Sequence, residues 1–449
     1  MAFSPTDSAL FSQLFGDAEL ADIFADEQFV RDMLTVESAL AQTQGRLGVI
    51  PPDAAASIAD AAAVLAVDFA LLQAGTEKAG LPVIELLRQL RAAVTQSANA
   101  DAAAFVHWGA TTQDIMDTAL ILQLRAALLI LENKLQQVSQ NLAHLADRHR
   151  HTLMAGRTHS QQALPITFGL KVAGWLAPLL RHQQRLAALK QRLLTVQFGG
   201  AAGTLASLHE EGLAVVEGLA QMLQLEIPLM PWHTQRDNLA EVAGWLALVS
   251  GSLAKMAQDM ILLAQSEVSE VQESSDRSRG GSSTMPQKSN PIVSELIIAA
   301  ARTNASHLTA MHQALIQEHE RATHGWQMEW LTLPQMFALT ATALNKALFL
   351  SKNLAIDEGR MAQNVAASNG LMLAEAVSFA LAEQMDRTQA KQLVTQAVQI
   401  ALAEHRHLVD VVQTLCDLPL DWVTLRDERN YLGATQSFID RVLQATQPS

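Results

Sequence analysis

Residues 110–155 read ATTQDIMDTALILQLRAALLILENKLQQVSQNLAHLADRHRHTLMA, a run without glycine or proline. Within it Leu124, Leu128, Leu131, Leu135, Val138, Leu142 and Leu145 recur at alternating spacings of four and three. That spacing places them on one seam of an α-helix, suited to packing on neighbouring helices at a shallow angle. A helix through the run is roughly 60 Å long at about 1.5 Å per residue. Apolar patterning predicts further helices over about 166–197, 238–271, 291–320 and 331–355, with Gly169, Gly174 and Pro178 available to bend the first of these. No strand-like alternation of useful length and no internal repeat stands out. The expectation is an all-α chain built on a central long-helix bundle. Weak changes in helix length divide it into an N-terminal helical segment 1–105, a bundle 106–356 and a C-terminal helical segment 357–449. Ala/Leu-rich helices this long carry more apolar surface than one slender chain hides. That points to subunit interfaces, with a self-contained bundle as the alternative.

Composition agrees with a large helical enzyme. Hydrophobic residues make up 49% of the 449 positions and charged residues 17%, which supplies an extensive core. Aromatics are only 5%, so Ala and Leu carry most of the packing. The net charge of −14 argues against nucleic acid or an anionic membrane as partner, and requires any site for an anionic substrate to be locally basic. The single cysteine, Cys416, excludes an intramolecular disulfide and fits a reducing cytoplasm. Met1-Ala2-Phe3-Ser4-Pro5 lacks a basic region followed by an apolar core, so no signal peptide is expected. No uninterrupted apolar stretch of about 18 residues occurs, so no membrane span is expected either.

Chemistry concentrates in Gly281-Ser282-Ser283-Thr284-Met285-Pro286-Gln287-Lys288-Ser289-Asn290-Pro291. Gly280 and Gly281 permit backbone angles that other residues avoid. Asn290 reads as an N-cap and Pro291 as the first helical position. The loop therefore runs into the positive end of a helix, where anions are attracted, and Lys288 adds a full charge. A serine hydroxyl there sits where its alkoxide is stabilised and where carboxylates dock. Two further segments stand out. His107-Trp108-Gly109-Ala110-Thr111-Thr112-Gln113-Asp114 opens the long helix, with Thr111 or Thr112 as cap. The other is Gly156-Arg157-Thr158-His159-Ser160-Gln161-Gln162-Ala163-Leu164-Pro165. Alone, each segment has a bland reading: turn chemistry for the glycine-rich loop, satisfied structural histidines for His107 and His159.

Together the three segments resemble the ordered motif set of the fumarase/aspartase superfamily, and the last matches its signature GSSxMPxKxNP. The resemblance implies a homotetramer whose composite sites draw the motifs from three subunits, and anti β-elimination or its reverse as the chemistry. It implies Ser282 as the proton-transferring group, with Lys288, the loop amides and the helix dipole lowering its pKa. His107 and His159 become site residues. Thr111, Thr112, Arg157, Thr158, Gln162, Arg236, Ser283, Met285 and Asn290 become candidates for holding substrate.

Two branches of the superfamily compete. Glu320-Arg321-Ala322-Thr323-His324-Gly325-Trp326-Gln327-Met328-Glu329-Trp330 resembles the phosphate-gripping segment of the nucleotide-using, adenylosuccinate-cleaving branch. Trp326, Gln327 and Trp330 replace that branch's phosphate donors, and 76–83 lacks its early His-Asp pair. A phosphate without partners beside tryptophan is strongly disfavoured. Residues 161–171, 198–205 and 231–237 resemble instead a lactone-forming cycloisomerase branch, which implies a small tricarboxylate substrate. In that direction neutral Ser282 donates a proton, and His159 is left to position or balance charge. A helical scaffold without chemistry is the remaining alternative. His149-Arg150-His151 and His405-Arg406-His407 lack metal-ligand partners at workable spacing, and Gly199–Thr204 lacks a phosphate-loop ending, so neither metal nor cofactor is expected.

Overall fold

The computed structural model describes residues 4–96, 99–274, 280–281, 284–285 and 287–446. The all-α expectation holds. Five long helices dominate: α1 (Thr112–Arg148), α2 (Phe168–Leu193), α3 (Asp237–Leu263), α4 (Ile292–Gln313) and α5 (His324–Asn353). Other helices precede them, including Asp26–Leu47 packed on Pro52–Val64, and more follow, including Arg387–Glu404 packed on Ala374–Ala382.

The chain forms two compact units. One gathers residues 1–134, 182–251 and 300–342, the other 135–181, 252–299 and 343–449, so every unit boundary falls inside a long helix. None of these boundaries lies near 105 or 357, the positions expected from the sequence.

Side-chain hydrogen bonds tie the helices within each unit. In the first, the Trp245 indole on α3 donates to the His182 carbonyl on α2 at 2.9 Å. Asn304 on α4 donates to Thr340 Oγ1 on α5 at 2.9 Å, and Lys190 on α2 pairs with Glu132 on α1. In the second, the Trp175 indole on α2 donates to Asp259 on α3 at 2.7 Å, and Asn141 on α1 donates to Ser351 on α5 at 3.0 Å. The seam on α1 is buried from Leu124 to Leu142, with Leu124, Leu128, Leu131, Leu135, Val138 and Leu142 all 0% exposed, and Leu145 at its end is half-buried. Apolar side chains remain on the outer faces of the long helices, among them Leu331, Leu129 and Leu248.

Among the described residues α3 is the single helix long and apolar enough, by length and composition, to cross a membrane. Its Leu239, Val242, Leu246, Val249 and Leu253 are buried in the fold, and its Glu241 and Asp259 pair with Arg192 and Lys255.

The reading of the sequence needs two corrections. α1 stops at Arg148 rather than continuing toward Ala155, and an antiparallel ribbon comes after it: β1 (Leu153–Thr158) and β2 (Gln161–Thr167). The cause lies downstream. Gly169 N–H donates to the His149 carbonyl at 2.9 Å and Phe168 N–H to the Thr152 carbonyl at 2.8 Å, so α2 takes the acceptors that end α1. A Cβ on Gly169 would lie 2.5 Å from the Ala146 carbonyl oxygen and 2.7 Å from Arg150 Cα, so only glycine permits this approach. Gly169→Ala should therefore lower stability by about 1–3 kcal/mol, the cost of overpacking against backbone. Gly174→Ala, where a Cβ meets nothing within 4 Å, should be neutral or gain up to about 1 kcal/mol of helix propensity. Urea unfolding of the two variants checks the contrast.

Candidate active site

In the first unit, the chain before α1 turns tightly. His107 and Gly109 have positive φ, 66° and 76°, and a Cβ on Gly109 would strike Leu208 at 2.8 Å. The Trp108 carbonyl accepts from Gln44 Nε2 at 2.7 Å. His107 Nδ1 lies 2.6 Å from Oε1 of buried Glu37, which fixes the orientation of the ring. Thr111 precedes the first turn, and its backbone N–H donates to Asp114 Oδ2 at 2.9 Å, half of a capping box. The two threonine hydroxyls are not spent on capping: Arg321 donates from Nη1 to Thr111 Oγ1 at 2.5 Å and from Nη2 to Thr112 Oγ1 at 3.3 Å. An arginine thus stands over the helix start, where a carboxylate finds hydroxyls and a guanidinium together.

One turn further along α1 the polar groups belong to the fold. Asp114 also accepts from Gly199 N–H at 3.0 Å and Gly200 N–H at 2.9 Å, and lies 2.7 Å from His233 Nε2. Gly199–Thr204 therefore serves as a backbone strap, its amides directed at Asp114.

Arg236 is 2% exposed, and both ends of its guanidinium are occupied. Nη1 and Nη2 donate to Asp117 at 2.6 and 3.0 Å, while Nε and Nη2 donate to Glu329 at 2.8 and 2.6 Å. Burial opposes its charge, but Asp117 and Glu329 outweigh that and hold the guanidinium above its ordinary value. Two carboxylates face one cation. Burial pushes the Glu329 carboxyl up, Arg236 pulls it down, and Asp117 pushes it up again, with a net rise. Asp117 also accepts the Trp326 indole N–H at 2.9 Å, and Trp326 meets Trp330 edge to face at 4.8 Å between centroids.

This tryptophan pair lines a cavity of about 790 Å³ together with Phe29, Phe69 and Leu81. Thr76, Gly80 and Pro82 lie in the same wall. The structure thus brings to one apolar cavity both segments in which the sequence departs from the nucleotide-using branch.

In the second unit, β1 and β2 form a hairpin with Thr158 paired to Gln161 and Arg157 to Gln162. His159 and Ser160 are its two loop residues, and both have positive φ, 48° and 63°. A two-residue turn of this kind is ordinarily built from Asn and Gly. Here two other residues hold it, at a cost on the order of 1 kcal/mol or more each. Thr158, His159, Ser160, Gln161 and Gln162 are exposed, so the strained tip carries its side chains outward. Behind the tip, Arg157 grips fully buried Glu270 with two bonds of 2.9 and 2.7 Å, and Asn364 donates to the same carboxylate at 2.8 Å. Gln162 Nε2 donates to the Asn364 carbonyl at 3.3 Å.

Of the glycine-rich loop, Ser282, Ser283 and Pro286 lie outside the described residues. Gly281 bridges to Ser289 antiparallel, and Asn290 donates from N and from Nδ2 to the Gly280 carbonyl, both at 2.9 Å. Lys288 and Met285 are exposed. α4 begins at Ile292, one residue after the Pro291 expected as its first helical position, and Asn290 does not cap it, because its side-chain amide is turned to the Gly280 carbonyl. Its first-turn N–H groups are already taken, however: Glu273 accepts from Val293 at 3.0 Å and from Ser294 at 2.6 Å.

Geometry thus separates the sequence candidates. Thr158, His159, Gln162, Met285 and Lys288 are exposed, while Thr111 and Thr112 are half-buried at the start of α1 beneath Arg321. Arg157 and Arg236 are tied to carboxylates, Asn290 fastens the loop, and His107 is backed by Glu37. The sequence reading missed Arg321, Glu37 and Glu273. Arg321 lay in a quoted segment, but its aim at Thr111 is a tertiary fact; Glu37 and Glu273 carry no local signal.

Residues 14–303 match the model of a protein family described as Lyase. The chain is 42% identical over 444 residues to the 3-carboxy-cis,cis-muconate cycloisomerase of Acinetobacter baylyi, covering 97% of this chain and 98% of that protein. It is 40% identical over 444 residues to trans-aconitate decarboxylase 1 of Mycosarcoma maydis, covering 98% and 89%. The crystal structure of 3-carboxy-cis,cis-muconate lactonizing enzyme from Pseudomonas putida superposes with a TM-score of 0.91 at 40% identity, covering 98% of this chain and 99% of that one.

If Arg236 serves the fold, Arg236→Met should cost about 3–5 kcal/mol in urea unfolding, because two buried carboxylates lose their cation. A surface arginine kept for substrate would change stability by no more than about 0.5 kcal/mol.

Proposed function

The chain belongs to the fumarase/aspartase type of lyase family, and on that premise we propose that it closes 3-carboxy-cis,cis-muconate to its lactone. One carboxylate of the diene adds across a double bond, forming the ring C–O bond. The electron pair moves toward the carbon next to another carboxylate, and that carbon takes a proton. Counted from the ionised substrate, one proton is taken up: the lactone carries one negative charge fewer, and Ser282 regains its proton from solvent. Ser282 supplies the proton, and Lys288 stabilises both the serine anion left behind and the charge that develops on the substrate carboxylate. Arg321 with Thr111 and Thr112 receives a second carboxylate as a charge-assisted pair. The ring-closing carboxylate needs no acid, so His159 orients substrate and balances charge. Ser283, Met285 and the Thr158–Gln162 tip complete the site.

The observation that carries this reading over nucleotide chemistry is the aromatic cavity between Thr76–Pro82 and Trp326–Trp330. A phosphate there meets indole faces and the surplus negative charge of Asp117 and Glu329. The trans-aconitate decarboxylase relative supports a second reading, since trans-aconitate is likewise an unsaturated tricarboxylate. Both readings require a site for three carboxylates in a chain of net charge −14.

The exposed tip, the exposed loop and the apolar outer faces of α1, α3 and α5 support a homotetramer in which separate subunits supply the three motifs, and the single cysteine, Cys416, fits a reducing cytoplasm. Sedimentation of a fully active monomer would defeat that assembly.

An ultraviolet assay of the protein with the tricarboxylate diene, trans-aconitate and adenylosuccinate separates the readings. Loss of diene absorbance with only the first substrate is the expected result. Ser282→Ala should leave assembly intact and lower turnover by at least about a hundredfold. Lys288→Met should lower it by more than about a hundredfold at saturating substrate, or on the order of 3 kcal/mol. A Lys288→Met enzyme within about fivefold of wild type would reduce that residue to a loop anchor worth under about 1 kcal/mol.

A further inference from the structure

The start of α4 is an anion site that the chain fills with its own carboxylate. Ile292 N–H bonds to the Asn290 carbonyl at 2.9 Å, and Glu295 N–H returns to the Pro291 carbonyl at 3.1 Å. The two N–H groups between them are held by one carboxylate, Glu273 Oε2 on Val293 at 3.0 Å and Oε1 on Ser294 at 2.6 Å. These are charge-assisted bonds at the positive end of a helix, the strong class of hydrogen bond. Glu273 stands just before the segment that contains Ser282 and Lys288, and α4 stands just after it. The carboxylate therefore joins the two ends of that segment. Inside this closure lie the Gly280–Asn290 bonds and the Gly281–Ser289 bridge.

We propose that Glu273 is a positioning residue for the reaction: a carboxylate latch that fixes where Lys288 stands relative to α4. The inference rests on the catalytic reading of that loop and adds two consequences. First, substrate carboxylates do not dock on the α4 start, because its dipole is already answered by an internal anion. Lys288 and Arg321 carry that work. Second, the latch is ionic, so a neutral amide of the same shape does not replace it. In Glu273→Gln one side-chain NH₂ faces one of the two N–H donors, and a bond is lost.

The test is Glu273→Ala, Glu273→Gln and wild type, each as the assembled protein. Turnover should fall about tenfold or more in Glu273→Ala, because small misplacements of catalytic groups are costly. Sodium acetate should restore activity saturably in Glu273→Ala, by occupying the vacated helix start, and should not activate wild type. A purely structural loss would not respond to acetate. Hydrogen exchange without substrate reads the latch directly: Val293 and Ser294 should exchange at least about tenfold faster in Glu273→Ala, and acetate should slow them. Should Glu273→Ala fail to assemble, Glu273→Gln decides, with the same acceleration expected at one of the two amides. Turnover within twofold of wild type, or exchange unchanged in the variant that assembles, overturns the proposal. The exchange result stands whether or not wild type closes the diene, so failure of the latch and failure of the proposed reaction are told apart.

Discussion

Much of the first unit depends on one buried guanidinium. Arg236 sits between Asp117 on α1 and Glu329 on α5, and through Asp117 it reaches the Trp326 indole. Removing the guanidinium leaves two carboxylates in a medium that penalises charge severely. The same ions set the relative rotation of α1 and α5 within the unit, because a bidentate fork tolerates little angular error. From that core outward the placement is geometric. One turn back along α1, Asp114 straps down Gly199 and Gly200, and the helix start beside it presents Thr111 and Thr112 to Arg321. The two hydroxyls are placed by a core that is itself polar.

The long helices were legible because α1 to α5 repeat their apolar residues at helical spacing over many turns, a signal that no short-range feature cancels. The ribbon β1–β2 was not. Leu153, Met154 and Ala155 extend the apolar run of α1 without a breaker, and the group that ends the helix is Gly169, on the next helix. The paired threonines, the hairpin histidine and the Asn-Pro helix start were legible as residue types in motifs. Their partners were not, because Arg321, Glu37 and Glu273 lie 210, 70 and 20 residues away in sequence from the groups they hold. Arg236 shows the converse. Its motif was conspicuous, but whether an arginine faces solvent or two carboxylates is decided by burial, which the sequence around it does not encode.

Electrostatics in the second unit obey a comparable economy. Glu270 neutralises Arg157, and Glu273 neutralises the start of α4. Cations suggested as free by the sequence turn out to be fasteners, which leaves Lys288 as the exposed positive charge of the loop among the described residues. In a chain of net charge −14 an anionic substrate needs local cations, and Lys288 in this unit and Arg321 in the other are placed to supply them.

The edge-to-face pair Trp326–Trp330 gives the molecule a reporter of its own. Seven tryptophans and one tyrosine make its ultraviolet emission almost entirely indole in origin. Two of those indoles touch and line the large cavity, one of them pinned by a carboxylate. Coupled transitions in such a couple produce a signed circular-dichroism band whose size depends on the angle between the rings. Any occupant that tilts one ring changes the optical activity of the unlabelled protein, so the cavity's filling can be followed as colourless spectroscopy on the native chain.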